Sequence, residues 1–206
     1  MATDGVAETI AARIATRGEP GPQGRTAERQ ERRLIRAAQE GSEEALETLY
    51  RRHWPLAYRA AYLVVHDSAA AEDIAQEAFL AAVRALDRFD RRRPFGPWLN
   101  RIVVNRAIDW ARARALRREA AVDPDSDLVH GMERPAPGSS HPYSEETLAA
   151  LASLSPEHRA VVVLRYLLDC TPGEIAQMLE LPRGTVNSRL RRALDRLKAS
   201  LGETRE

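Results

Sequence analysis

The chain has 206 residues, 44% of them hydrophobic and 30% charged, with a formal net charge of +1; this suits one ordinary domain or two small ones. Its single cysteine, Cys170, excludes an intrachain disulfide framework and a Cys-rich zinc site. No apolar run reaches the ~18 residues of a membrane helix, and no apolar segment of a secretory signal opens the chain, so a cytoplasmic protein without membrane insertion is expected.

Ala, Leu, Arg and Glu dominate, all good helix formers, and the few β-branched runs (Val103-Val104, Val161 to Val163) sit inside longer helical patterns. An all-α fold is predicted: two small helical domains joined by a flexible acidic linker, the second a helix-turn-helix. Residues 1–24, rich in Ala, Gly, Pro and Thr, read as a disordered tail. Residues 25–118 read as the first domain. Its opening helix runs from about Thr26 to Glu40 and breaks at Gly41-Ser42, where Ser42 is the N-cap and Glu43 and Glu44 suit the helix dipole. Asp67 is a second cap, before a helix over 69–86. The segment 88–97, with two prolines and a glycine, reads as a loop. A long helix then starts between Phe95 and Trp98 and ends in the basic run around Arg118.

Residues 119–144 carry four prolines, two glycines and paired serines, with five acids against Arg134 for a net −4. They read as the linker. Residues 145–206 form the second unit. Ser155-Pro156 is an N-cap with a first-turn proline, and Thr171-Pro172-Gly173-Glu174 a capping box.

The motif with the most chemical content spans Thr171 to Leu197. A helix carrying Ile175, Ala176 and Leu179 inward leads through Leu181-Pro182-Arg183-Gly184 into a second helix. On a wheel of 100° per residue, Val186, Leu190, Ala193, Leu194 and Leu197 form one stripe. Gly184, Ser188 and Arg191 point away from it, flanked by Thr185 and Arg192 on one side and Asn187 on the other. From Arg183 to Lys198 six bases oppose Asp195 alone, a net +5. Small polar groups and arginines on one face suit a major groove and its phosphates. The expected DNA-contacting set is Arg183, Thr185, Asn187, Ser188, Arg189, Arg191 and Arg192. A solvated face on a structural helical hairpin has the same pattern, but not the same company of capped helix, Pro-Arg-Gly turn and basic surface.

In the first domain Asp73, Gln76, Glu77 and Leu80 recur at i, i+3, i+4 and i+7 and share one helix face, while Ile74, Ala78, Ala81 and Ala85 can form core. An acidic strip with one leucine suits a basic helical partner or plain solvent. Arg84 to Arg118 holds eleven arginines against three aspartates, a net +8. Phe95, Trp98 and Ile102 make an apolar stripe there. Arg91, Arg92, Arg93, Asn100, Arg101, Asn105 and Arg106 supply basic and amide groups beside aromatics, the chemistry that holds single-stranded DNA; a generic phosphate-binding helix is the plainer reading.

Two stretches carry a resemblance. Glu174-Ile175-Ala176 with Leu181-Pro182-Arg183-Gly184-Thr185-Val186-Asn187-Ser188-Arg189-Leu190 resembles the -35-reading domain of extracytoplasmic-function sigma factors, RNA polymerase subunits of the sigma-70 family. That family usually has Lys at the place of Asn187. Ala71 to Leu80 resembles the family's helix for the β′ clamp helices of the polymerase. Phe95 to Asn105 resembles its -10-reading and melting element. The resemblance covers about residues 36–118 and 145–200. It implies a non-enzymatic subunit that binds core RNA polymerase at the β′ clamp helices and β flap, and that reads promoter DNA both as duplex and as single strand. It also implies that the loop 88–94 helps capture a flipped base, that the linker threads toward the RNA exit channel, and that an anti-sigma factor is a possible partner.

No enzyme site emerges. The five histidines are scattered, and Cys170 has no neighbouring base. His66-Asp67 near Glu72-Asp73 reads as an N-cap with solvated neighbours before it reads as a metal cluster, so no cofactor or metal is expected. A stand-alone operator-binding regulator shares the helix-turn-helix, but not the acidic strip or the basic segment before the linker.

Overall fold

The computed structural model describes residues 24–120 and 143–202, and side chains over 26–117 and 143–201. All described regular structure is helical. The expected tail, Gly24 apart, and nearly all of the expected linker lie outside the described residues.

The first unit is built from α1 (Gly24–Gln39), α2 (Glu43–Val65), α3 (Ser68–Arg84), a 3-10 turn (Leu86–Arg88) and α4 (Phe95–Ala120). Leu34, Ile35 and Ala38 form the inner side of α1, and Ile35 is 1% exposed; burying such a side chain stabilises by roughly 1.5–3 kcal/mol. The helix ends where Gly41 adopts φ +92°, a left-handed conformation that glycine tolerates best. Ser42 then caps α2 by accepting from the Ala45 amide at 3.2 Å, with Glu43 and Glu44 in the first turn. Tyr50, Trp54, Tyr58 and Tyr62, four residues apart, stack along α2 with centroid spacings of 5.0, 6.3 and 6.3 Å. Phe79 of α3 meets Tyr50 edge-on at 4.9 Å.

The last turns of α2 are unusual. All six residues from Ala60 to Val65 are buried. A helix has no solvent face over such a stretch and must be covered on every side. In α3 the inner face is Ala71, Ile74, Ala75, Ala78, Phe79 and Ala82, while Ala81 and Ala85 are half-buried. The apolar stripe therefore sits slightly round the helix from the expected one, because the bulky Phe79 enters the core. Asp67 caps α3 from the Ala70 amide at 3.0 Å.

The second unit holds α5 (Glu145–Ala152), α6 (Pro156–Val162) running into a π turn (Val163–Leu167), α7 (Pro172–Met178) and α8 (Arg183–Gly202). Ser144 caps α5 through the Thr147 amide at 3.2 Å. Thr171 and Glu174 close the reciprocal capping box of α7. Ser155 occupies the N-cap position of α6, but its hydroxyl meets His158 Nδ1 at 2.7 Å and not a backbone amide. The long helix α8 extends past the expected end at Leu197.

The two units pack together. The α6 helix lies against α2 and α4, and one hydrophobic cluster runs without interruption from Ile35 to Leu197. Ala160 to Leu164, running from α6 into the π turn, are all buried, as are the last turns of α2. Each unit thus helps to cover a stretch of helix that is buried on every side.

Candidate nucleic-acid interface

The recognition helix candidate, α8, is oriented by its apolar stripe. Val186, Leu190, Ala193 and Leu197 are buried, between 0 and 8% exposed. The turn before it is held by the Leu181 amide donating to the Ala176 carbonyl at 2.9 Å and by Thr185 and Val186 donating to the Pro182 carbonyl. Glu180 sits in this turn at φ +54°, a conformation rare for a residue other than Gly, Asn or Asp. With the stripe buried, Arg183, Gly184, Asn187, Arg191 and Arg192 are exposed; Thr185, Ser188 and Arg189 are half-buried. Ser188 Oγ donates to the Thr185 carbonyl at 2.9 Å, which occupies its proton and leaves its lone pairs for a donor. Arg189, Arg192 and Arg196 lie near enough to His158 to lower its pKa, after burial, which is the main cause. The capped α7, the tight turn and a cationic helix with an open polar face form a helix-turn-helix whose second helix has the shape and charge to enter a major groove.

The second basic surface belongs to α4 and the loop before it. Phe89 and Phe95 are buried and Trp98 is half-buried; Phe89 lies 4.6 Å from Trp98 and 5.7 Å from Phe95. These rings form the floor on which the loop rests. Asp90 shapes the loop by accepting from the Arg92 amide at 3.0 Å. Gln39 of α1 donates to the carbonyls of Leu86 and Phe89 at 2.8 and 3.1 Å. Arg91, Arg92 and Arg93 are therefore displayed, exposed, from a fastened loop.

Along α4, Arg101, Asn105 and Arg106 are half-buried, whereas Asn100 is buried at 6% exposure and points away from solvent. Asn100 is thus separated from the other expected contacts: one residue on from Leu99, it falls on the inner side of the helix. Sequence reasoning missed the share of α1. Arg32, Arg33 and Arg36 line a cleft of about 760 Å³ with Gln39, Asp87, Phe89, Asp90, Arg91 and Arg92. Their basic spacing was visible, but nothing in the local pattern says which loop α1 packs beside.

On α3, Asp73, Gln76, Glu77 and Leu80 are all exposed and share a face, with Leu80 at 55%. Val83 at 44% and Tyr50 at 38% add apolar surface of which the spacing gave no sign. Glu77 lies 4.0 Å from Arg106, so the acidic face borders the basic one.

The remaining ionisable groups look structural. Burial, with Glu174 and Asp169 adding to it, pushes the Cys170 thiol up to about 11, leaving it protonated and unreactive at neutral pH. Burial, and then Arg159, drive the His66 pKa down to about 3, and burial takes Arg159 down to about 10. His66 Nε2 and Arg159 Nε have no hydrogen-bond partner. Among the described residues no cluster of His, Cys, Asp or Glu is arranged to hold a metal.

Comparison with known proteins gives this arrangement its class. The family description "Sigma-70 region 2" matches residues 49–117, and "Sigma-70, region 4" matches residues 144–197. The chain belongs to the sigma-70 family of RNA polymerase sigma factors, in its extracytoplasmic-function group. It is similar to the RNA polymerase sigma factor CarQ of Myxococcus xanthus, 32% identical over 167 residues, which cover 80% of this chain and 93% of CarQ. It is 34% identical to the ECF RNA polymerase sigma factor SigE of Mycolicibacterium smegmatis over 160 residues, 75% of this chain but 61% of the SigE chain, less than two thirds of that relative's length. Among solved structures it resembles CnrH, solved in complex with the cytosolic domain of CnrY, with a TM-score of 0.60 and 29% identity over 84% of this chain and 97% of that one. The chain is a sigma factor for promoter-specific initiation by RNA polymerase, and the subunit itself is not catalytic.

Proposed function

We propose that each of the three surfaces has one task in initiation. The observation that carries this reading is the separation of charge: a basic polar face on α8, a basic face on α4 and its loop, and an acidic-apolar face on α3, on three different helices.

On α8, Arg183, Thr185, Asn187, Ser188, Arg189, Arg191 and Arg192 take the -35 duplex. Arg191, exposed and opposite the buried stripe, reads a base edge, and the flanking arginines pair with phosphates. Asn187 offers an amide where relatives offer an ammonium, which suits an adenine edge over a phosphate.

On the first unit, Arg91, Arg92, Arg93, Arg101, Asn105 and Arg106 hold the separated -10 strand. Asn100 reaches it only if its turn of α4 shifts. Extruding a base costs a few kcal/mol, and a loop already fastened by Gln39 and Asp90 loses little further entropy when it captures one. Arg32, Arg33 and Arg36 extend the same cationic surface along α1. Asp73, Gln76, Glu77 and Leu80 dock on the β′ clamp helices of core polymerase, with Tyr50 and Val83 enlarging the apolar part. Residues 25–118 and 145–206 are then the polymerase-and-strand domain and the duplex domain. The segment between them follows the path toward the RNA exit channel, and the second domain meets the β flap.

An anti-sigma factor is a further partner on this reading, supported by the capture of the structural relative CnrH with the cytosolic domain of CnrY. The protein acts in the cytoplasm, where core polymerase is.

The test is reconstitution. Purified protein, core polymerase and a matched promoter are mixed, and transcript starts are mapped. Initiation at one position, dependent on both promoter elements, is expected. A footprint on duplex DNA that forms without polymerase, with no directed initiation, would replace this reading with a stand-alone regulator.

A further inference from the structure

One helix holds both ends of the loop that displays Arg91, Arg92 and Arg93. At the entrance, Gln39 of α1 donates to the carbonyls of Leu86 and Phe89. At the exit, Glu31 of the same helix accepts from the backbone amide of Phe95, the first residue of α4. Eight residues separate Glu31 from Gln39, about 12 Å along a helix.

Glu31 is out of character for its place. With Ile35 at i+4 and Ala38 at i+7 it lies on the buried stripe of α1, where an apolar side chain is expected. Its side chain is 19% exposed, and Oε1 lies 2.8 Å from Nε2 of His53 on α2, itself 13% exposed. The hydrogen bond with His53 is the first cause holding the Glu31 carboxyl below its ordinary value; burial opposes it, and Arg52 and the Phe95 amide assist. The His53 ring lies 5.1 Å from the Phe95 ring, and a Cβ on Gly96 would stand 3.4 Å from it. Carboxylate and imidazole therefore meet the first turn of α4 together.

That turn needs an outside partner. A helix opens with amides that find no acceptor inside it. In α2, α3, α5 and α7 the residue directly before the helix supplies one. Before α4 stands Pro94, which has no side-chain oxygen. A carboxylate from α1 takes its place, and its charge suits the positive end of the helix dipole.

We propose that Glu31, backed by His53, is a positioning residue for strand capture: by capping α4 from α1 it sets how residues 90–94 and Arg101, Asn105 and Arg106 stand against the strand. This rests on the assignment of that loop and α4 to the -10 strand. A loop fixed at both ends presents its arginines in one arrangement, whereas a loop freed at its exit must be ordered again at each capture.

The experiment uses the full chain, alone and with core polymerase, and three variants. Glu31→Leu deletes the acceptor but completes the apolar stripe, which separates loss of positioning from loss of core. Glu31→Gln keeps an oxygen for the Phe95 amide and offers an amide group to the other tautomer of His53. His53→Phe keeps a ring against Phe95 and removes the donor; it carries the test if Glu31→Leu does not fold. Hydrogen–deuterium exchange compares the backbone of residues 89–97 with that of 60–65. Permanganate reactivity of unpaired thymines reads opening of the promoter used in the reconstitution.

Exchange over 89–97 should quicken about three- to tenfold in Glu31→Leu, the size of one lost cap, with 60–65 unchanged. Promoter opening should slow by a similar factor while association with core polymerase holds. His53→Phe should show the same changes in smaller measure, and Glu31→Gln should return both to within about twofold of wild type. Unchanged exchange over 89–97 in Glu31→Leu and His53→Phe, a rise shared equally by 60–65, or a Glu31→Gln as loose as Glu31→Leu would each overturn the positioning role. If 89–97 loosens and opening keeps its wild-type rate, the role in capture falls with the assignment of the loop to the strand, and only the cap stands.

Discussion

Arg114 of α4 and Asp67, the residue that caps α3, share an ion pair at 2.5 Å, with Asp67 Oδ1 on the Ala70 amide and Oδ2 on the guanidinium. One carboxylate thereby starts the helix that bears the acidic face and ties it to the helix that bears the basic one. Arg114 is further held over the Trp110 ring, 4.9 Å from its centroid.

Asp67 is therefore expected to matter twice. Asp67→Ala should destabilise the protein by about 1–3 kcal/mol, combining a lost cap with an unpaired, half-covered arginine. Asp67→Asn keeps an oxygen for the Ala70 amide and should lose less than half as much. Urea unfolding of the two variants checks this; equal losses would mean the cap contributes nothing. Burial raises the Asp67 pKa, but the Ala70 amide and Arg114 together outweigh it and hold it below its ordinary value. Its contribution is present above the ordinary aspartate range and is lost as pH falls through the lowered value.

His66 should make the chain sensitive to mild acid. Its pKa falls from 6.5 to about 3 on folding, through burial and then Arg159. Above pH 6.5 it is neutral in both states and has no effect. Below 6.5 the unfolded chain takes up a proton that the folded chain refuses, so stability falls by at most roughly 1.4 kcal/mol per pH unit. His66→Asn, which suits the φ of +55° at this position, should flatten the decline between pH 6.5 and 5. Parallel stability curves for wild type and variant in that window would show that His66 is not held neutral.

Arg191→Ala should lose discrimination at one base pair of the -35 element by about 1–3 kcal/mol while core binding is retained. Competition between matched and single-substituted promoters, with reconstituted holoenzyme, reads this directly. Equal loss on every sequence would reassign Arg191 to a phosphate.

Glu77→Lys should weaken association with core polymerase by about tenfold or more, mostly at low salt, because it replaces an acid on the α3 face with a base. It also places a like charge near Arg106, now 4.0 Å from Glu77. Association measured at two salt concentrations separates the effects: a polymerase contact gives a salt-dependent loss, whereas a change confined to promoter opening would point to Arg106.

The caps, the apolar spacings and the charge runs are local properties of the chain, so they were legible before folding. Ser42, Asp67 and the Thr171-Glu174 box mark where helices begin because a side-chain oxygen three residues ahead satisfies a free amide whatever surrounds it. The stripe from Val186 to Leu197 likewise determined which face of α8 is open. Three features were decided only when distant segments met. Asn100 lost its solvent because α4 is covered on that side, and Arg32, Arg33 and Arg36 gained the company of Arg91 because Gln39 fastens α1 to a loop about fifty residues away. The linker composition pointed to two domains, whereas tertiary structure packed them, because Ala60 to Val65 and Ala160 to Leu164 leave no polar face over those turns and the end of α2 and the start of the π turn complete each other's cover across the two units.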